Sequence, residues 1–262
     1  MHPRVKRLAS ALHAASAVAP IVVLLAGWEL LTRTGVIRPQ VLPTFSAVCA
    51  AGADLVVSGT IFHHLIVSLY RAVGGLLLSI VIGVALGFGM AINQGIENFF
   101  DPLVSLVYPL PKTALVPLTM VWLGITDQAA ILVIFLAGLL PMVINTYHGV
   151  RGVDRVLVWS ARSLGTTERR LFTRIIVPAA TPYIFNGIRI AIPISFIVVI
   201  SVELVASKAG IGNLINGYGG LGNYDYMFAT ILIFVAVAFL ADRCAVRVGR
   251  TVLRWHEERD AR

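Results

Sequence analysis

The sequence predicts an all-α membrane protein that crosses the bilayer several times. Hydrophobic residues make up 58% of the 262 positions and charged residues only 13%, whereas a soluble domain carries about 25% charged residues. Mean hydropathy is +0.86, and apolar runs of bilayer-crossing length, about 20 residues, recur along the chain. A soluble protein this apolar could not cover its own core with polar surface, so the solvent for most of the chain is lipid.

Six spans are predicted: Ala14–Leu31, Ala72–Ile92, Leu103–Leu123, Ala129–Tyr147, Ile184–Ala206 and Met227–Val246. The first follows Met1-His-Pro-Arg-Val-Lys-Arg7 and leads into Gly27-Trp-Glu-Leu-Leu31. That is a poor cleavage region, so an uncleaved helix is expected in place of a signal peptide. The second carries Gly83 and Gly87, a small-xxx-small face that admits a close helix neighbour, and Arg71 at its edge reads as snorkelling to the interface. The third is interrupted by Pro109, Pro111 and Pro117 and contains Lys112. Proline is tolerated at that depth where neighbours or water satisfy the freed carbonyls, which puts this segment in the bundle interior or along a cavity.

Orientation follows from arginine and lysine. Arg4, Lys6 and Arg7 precede the first span. Arg151, Arg155, Arg162, Arg169, Arg170 and Arg174 fill the segment after the fourth. Arg243, Arg247, Arg250, Arg254, Arg259 and Arg262 close the chain. With six crossings these segments share one side and hold 15 of the 21 basic residues. The opposite side holds Arg33, Arg38 and Lys208. The positive-inside rule then makes both termini cytoplasmic. The net charge of +8 is thereby explained by topology, and nucleic-acid binding is not expected.

Other chemistry is absent from the pattern. Cys49 and Cys244 stand far apart and imply neither a disulfide framework nor a metal site. No His-Glu-x-x-His spacing occurs, no metal or cofactor is called for, and no catalytic constellation is present. No Gly-x4-Gly-Lys-Ser/Thr phosphate loop occurs either. Gly217-Tyr-Gly-Gly-Leu-Gly222 fits G-x-G-x-x-G, but no strand precedes it; it reads as flexible backbone in an outward-facing loop. Charges inside the membrane are costly and often functional. Lys112, Arg189 and Glu203 are therefore candidates for a translocation pathway, with Glu29 a fourth. The structural alternative is that Lys112 or Arg189 pairs with Glu203.

The segment from Gly152 to Pro182 differs from its surroundings. Val153, Val156, Leu157, Ala161 and Leu164 recur at helical spacing and form an apolar stripe among arginines. Gly165 ends that helix and Thr166 or Thr167 caps the next, giving a helix–turn–helix with a basic rim. Physics alone leaves two readings, a helix lying on anionic lipid and a surface that docks a partner.

Trp159-Ser-Ala-Arg-Ser-Leu-Gly165, nine residues, then Ile175-Ile-Val-Pro178 resembles the signature loop of permeases in ATP-binding-cassette importers. That loop reads Glu-Ala-Ala, three residues, Gly, nine residues, Ile-x-Leu-Pro. Ala161, Gly165, Ile175 and Pro178 match, Ser160 and Val177 are conservative replacements, and Trp159 stands where the family has glutamate. Ser68-Leu-Tyr-Arg71 with Gly75, Tyr108-Pro-Leu-Pro-Lys112, Trp122-Leu-Gly-Ile-Thr-Asp127, Glu203-Leu and Gly210-Ile-Gly212 resemble the nitrate, sulfonate and taurine branch. The similarity covers about residues 60 to 245.

The resemblance implies the type I importer permease fold and a bacterial inner-membrane location. It also implies a permease domain over 61–245, with coupling loop 150–178, between an N-terminal region 1–60 and a basic tail 246–262. It favours docking over lipid for the loop, with Val153, Leu157, Trp159, Ser160, Ala161, Leu164, Gly165, Ile175 and Pro178 as the surface met by a cytoplasmic ATP-binding subunit. Two copies of that subunit, a second permease copy and an extracytoplasmic solute-binding protein complete the expected assembly. The expected solute is small and anionic, of the sulfonate, taurine or nitrate kind. Other solutes of the branch are pyrimidine vitamin precursors and bicarbonate. A secondary transporter would show inverted repeats, which are not seen, and a membrane scaffold would leave the loop unexplained.

Overall fold

A computed structural model describes residues 19–38 and 41–253. Arg4, Lys6, Arg7, the start of the first predicted span, and Arg254, Arg259 and Arg262 lie outside the described residues. The described chain is all-helical. Helix α1 covers residues 19–33 as far as it is described. It is followed by α2 (Phe45–Val57), α3 (Thr60–Ile92), α4 (Gln94–Val107), a 3-10 turn (Lys112–Leu115), α5 (Val116–Leu123) and α6 (Asp127–Arg151). Then come α7 (Arg155–Ser163), α8 (Glu168–Leu171), a π turn (Phe172–Ile176), α9 (Val177–Val205), α10 (Ile211–Gly220) and α11 (Tyr224–Val252).

Among the described residues, four helical stretches are long and apolar enough to cross a membrane: Thr60–Ile92, Asp127–Arg151, Glu168–Val205 and Tyr224–Val252. Gln94–Val107 with Lys112–Leu123 makes a fifth if the pair, bent by 93°, is one broken span. The bend falls where Pro109 and Pro111 deny the helix donors and clash with the preceding turn. Lys112 Nζ donates to the carbonyls of Val107, at 3.0 Å, and Tyr108, at 2.6 Å. Carbonyls freed at membrane depth need such a partner, so Lys112 closes the break.

The chain divides into two compact units, Met1–Phe62 with Leu214–Ile233, and His63–Asn213 with Phe234–Arg262. In the first, the Trp28 indole N–H donates to the Pro43 carbonyl at 2.8 Å and its ring packs on Phe45 and Phe228. Glu29 pairs with Arg33 at 2.6 Å and accepts from the Ser46 amide at 3.1 Å, tying α1 to the start of α2. Tyr226 donates to Asp54 at 3.0 Å.

In the second unit α6 is the central helix, packed between α3 and α9. Glycine makes both approaches close. A Cβ on Gly83 would lie 2.5 Å from Met142 Cβ, and one on Gly87 2.8 Å from the Val143 carbonyl. On the other side, a Cβ on Gly149 would lie 2.6 Å from Tyr183 Cβ, and one on Gly187 3.2 Å from Asn145 Cβ. The small-residue face at Gly83 and Gly87 therefore packs on α6.

Three sequence expectations need correction. The segment 168–205 is one continuous helical stretch, so the fifth predicted span begins well before Ile184. Pro178 is accommodated by the π turn just ahead of it, a wider turn that absorbs the lost donor. Gly217–Gly220 is helical and not a flexible loop; each glycine costs a helix about 1 kcal/mol, and packing outweighs that local preference. Arg71 does not snorkel. It is almost completely buried, 7% exposed, within an ion-pair network.

Candidate functional site

Two arrangements of exposed apolar and buried polar residues lie at opposite ends of α6. The first is the turn after α6. Asp154 caps α7, its side chain accepting from the Val156 amide at 2.8 Å. At the far end the Gly165 amide donates to the Arg162 carbonyl at 2.9 Å and the Thr166 amide to the Ala161 carbonyl at 3.1 Å. That pair of bonds is a Schellman closure, and it places Gly165 at φ +74°, a conformation glycine adopts at no steric cost. Arg162 then pairs with Glu168 at 3.0 Å across the turn, fixing α7 against α8.

What α7 presents is apolar surface. Val156, Leu157, Trp159 and Leu164 are exposed, Trp159 at 62% and Leu164 at 86%. Ser160 is exposed, Val153, Ile175 and Pro178 are half-buried, and only Ala161 of the set turns inward. Beside α7 a groove of about 490 Å³ is lined by Val153, Leu157, Arg174, Ile175, Pro178 and Tyr183 among others. Arg155, Arg162, Arg169, Arg170 and Arg174 form an exposed basic rim. The chain's own packing leaves this stripe uncovered, as a docking surface requires. At the base of the turn Glu97 on α4 accepts from Tyr147 and Arg151, the last turn of α6, so the helix that enters the turn is anchored to α4.

The second arrangement lies where α6 begins. Glu203 on α9 is fully buried, and its carboxylate accepts from Ser68 Oγ at 2.8 Å, Arg71 Nη1 at 2.8 Å and the Gly212 amide at 2.9 Å. Arg71 also donates through Nε to Asp127 at 2.8 Å, and through Nη1 to Ser207 and the Ala209 carbonyl. Asp127 is the first residue of α6, whose N-cap is Thr126. Nearby, the Gly210 amide donates to His64 Nδ1 at 3.1 Å. Glycine makes the closure possible: at Gly210, with φ +120°, a Cβ would collide with the Glu203 carboxylate, and at Gly212 it would lie 2.5 Å from Glu203 Cβ. One arginine thus ties the start of α3 to the start of α6, the end of α9 and the loop leading into α10. A buried charge with every lone pair engaged is stable where an unpaired one is not.

The structure does not bring the three pathway candidates together. Glu203 pairs with Arg71 and with neither Lys112 nor Arg189. Lys112 caps the broken span, and Arg189 is exposed in a separate groove with Arg243 and Arg250. Ser68, Asp127 and Ser207 were missed as partners. The local signal was Ser68-Leu-Tyr-Arg71, which puts a hydroxyl and a guanidinium three residues apart on one helix face; nothing local pointed to Glu203.

Fold and site together define a polytopic helical membrane protein with an exposed amphipathic helix between two of its spans. Its fold matches solved ABC transporters. The MetNI methionine ABC transporter in an inward-facing conformation aligns with a TM-score of 0.62 at 18% identity, covering 73% of this chain and 95% of that one. An amino acid ABC transporter solved with histidines gives 0.61 at 16% identity, covering 77% and 96%. The chain belongs to the family of binding-protein-dependent transport system inner membrane components, which matches residues 75–254.

Relatives agree. The permease SsuC, assigned to aliphatic sulfonate transport in Bacillus subtilis (strain 168), is 33% identical over 89% of this chain and 84% of its own. The taurine transport system permease protein TauC of Escherichia coli (strain K12) is 28% identical over 92% and 90%. The bicarbonate transport system permease protein CmpB of Synechococcus elongatus is 34% identical over 74% and 70%. The chain is a multi-pass permease subunit of an ATP-binding-cassette importer in the bacterial inner membrane. An ATPase subunit and a solute-binding protein are the partners this family implies.

Proposed function

We propose that this permease carries a small anionic solute of the sulfonate or taurine class, delivered by the solute-binding protein. The observation that supports it is the similarity to SsuC and TauC along about nine-tenths of the chain. Bicarbonate is the second reading, supported by the similarity to CmpB. Each of these solutes carries an anionic group, the sulfonate end in zwitterionic taurine, which suits Lys112 as the cation of the pathway, its third ammonium proton left over from the two carbonyls it caps. Glu203 serves as an anchor, since its oxygens are already engaged.

The proposed architecture has six spans with both termini cytoplasmic, the first span being α1 and the third the bent pair α4–α5. Two copies form the pathway, and two ATP-binding subunits, separate from this chain, hydrolyse the nucleotide. The permease domain occupies 61–245, between an N-terminal region and a basic tail. The exposed stripe (Val153, Leu157, Trp159, Ser160 and Leu164), backed by the inward-turned Ala161 and together with Gly165, Ile175 and Pro178, docks in a groove of the ATPase in the helix-in-groove manner. Closure of the ATPase pair then pulls α7, and through the Glu97 anchor the bundle, between two states.

The test is uptake by proteoliposomes holding the permease, its ATPase and its binding protein, offered labelled taurine, an alkanesulfonate and bicarbonate. ATP-dependent accumulation of a sulfonate supports the reading. Accumulation of bicarbonate alone replaces it with the second. Accumulation of neither anion refutes both.

A further inference from the structure

At the end of the bundle that holds Arg243 and Arg250, α9 and α11 enclose a groove of about 350 Å³. Its rim carries three arginines, Arg189, Arg243 and Arg250, and its floor is apolar: Phe185, Ile188 and Val246. The helices meet closely there because Gly249 has no side chain; a Cβ would lie 3.2 Å from Phe185 Cδ1. Arg243 has one acidic neighbour, Asp242 at 3.6 Å, and lies over the Phe239 ring at 4.8 Å. No described carboxylate lies within ion-pair distance of Arg189 or Arg250. The coupling turn does not include this groove, and the Glu203 network lies at the other end of α9.

What leads out of the groove identifies its ligand. Residues four apart share a helix face. From Arg189 that face of α9 continues through Pro193 to Ile197, both exposed. From Arg243 the face of α11 continues through Phe239 to Val235, both exposed. A trio of guanidinium groups therefore sits at the end of an uncovered apolar track that runs along two membrane-crossing helices. A free anion needs the arginines and has no use for the track. A phospholipid needs both, its phosphodiester at the arginines and its acyl chains along the track.

We propose that this groove is a binding site for an anionic phospholipid headgroup, of the phosphatidylglycerol or cardiolipin type. Arg189, Arg243 and Arg250 hold the phosphodiester, and Ile197, Phe239 and Val235 line the acyl chains. The site lies at the cytoplasmic leaflet on the orientation proposed above. Binding by the purified protein does not depend on that orientation, so failure of the site and failure of the topology are separable.

The experiment uses full-length permease purified in detergent and stripped of lipid, with retained lipid counted by native mass spectrometry. The probes are dioleoyl phosphatidylglycerol, tetraoleoyl cardiolipin and dioleoyl phosphatidylcholine, with inorganic phosphate and methanesulfonate as competitors. Wild type is expected to retain the two anionic lipids over phosphatidylcholine by about tenfold or more, and Arg189→Gln with Arg250→Gln to lose that preference. Arg169→Gln with Arg170→Gln, the same charge loss on α8, is expected to keep it.

Equal retention of all three lipids, or equal loss in the control pair, overturns the site. Displacement by millimolar phosphate or methanesulfonate also overturns it and makes the groove a free-anion site. Should the glutamine pair unfold, Val246→Trp fills the groove with every arginine in place; it is expected to abolish the preference, and an unchanged preference refutes the proposal.

Discussion

Arg71 Nη1 lies 2.8 Å from Glu203 Oε1, joining α3 to α9 inside the bundle, and the same guanidinium reaches Asp127 at the first residue of α6. Three membrane-crossing helices are pinned at one end by one side chain. Ser68 and the Gly212 amide complete the carboxylate's shell, so the network is satisfied on the acidic side as well.

Removal of the cation therefore costs more than neutralising the anion. Arg71→Ala leaves the buried Glu203 carboxylate without its counter-charge, a loss of about 3–5 kcal/mol for such a pair. Glu203→Gln keeps an acceptor for the Gly212 amide, and Arg71 retains Asp127. Thermal unfolding of the purified permease is expected to drop far more for Arg71→Ala than for Glu203→Gln. Equal drops would mean that the charge pair is not what holds this end.

Helix packing predicts a contrast between two neighbouring glycines. Gly87→Ala drives a Cβ to 2.8 Å from the Val143 carbonyl, and backbone cannot step aside. The expected overpacking cost is about 1–3 kcal/mol. Gly89→Ala meets only the Ile96 side chain at 3.5 Å, an ordinary contact, and is expected to be neutral to slightly stabilising, since alanine is the better helix former. Melting temperatures of the two variants check this directly.

At the turn proposed to dock the ATPase, Leu164→Glu puts a charge on a side chain that is 86% exposed, so the fold is expected to survive while ATPase capture fails. Gly165→Val forces a β-branched residue to φ +74° and is expected to disturb the turn itself, lowering both capture and stability. Co-purification of the ATPase subunit together with melting temperature separates the two effects. Capture at wild-type level by Leu164→Glu would remove the stripe from the interface.

Lys112 has a cap to lose and, on the proposed function, a solute. Lys112→Met strips the Val107 and Tyr108 carbonyls of their donor and is expected to lower the melting temperature. Lys112→Arg keeps a donor and a charge, so it is expected to restore stability and uptake KM together. An unchanged KM in a stable Lys112→Met would exclude contact with the solute.

The proposed sidedness is tested with single cysteines in a background where Cys49 and Cys244 are serine. Leu164→Cys lies in the coupling turn and Leu221→Cys between α10 and α11, and both side chains are exposed. A membrane-impermeant maleimide added to intact spheroplasts is expected to label position 221 at once and position 164 only after permeabilisation. The reverse pattern would invert the topology.

Much of this was legible along the chain because it is local. An apolar run of bilayer length, a glycine that must end α7, an apolar stripe at helical spacing, and small residues four apart on α3 each follow from a few neighbouring positions. They were sufficient for the helical membrane class and for the helix α7 with its closing turn. Residues 45–57 formed a helix that no span accounted for, and α10 formed through glycines that read as loop, because propensity is weak beside tertiary packing.

The sequence by itself determined that lipid is the solvent, that most spans lie where the apolar runs do, and that an amphipathic helix projects between two of them. Tertiary structure decided the partners of the charges. Arg71 and Glu203 stand 132 residues apart, and only the packing of α3 and α9 on α6 makes them neighbours. Arg189 became a rim residue and Glu203 an anchor for the same reason, whereas Lys112 caps carbonyls only four and five residues before it. A charge in a low-dielectric interior takes whichever partner the folded helices bring within reach, and no spacing along the chain encodes that.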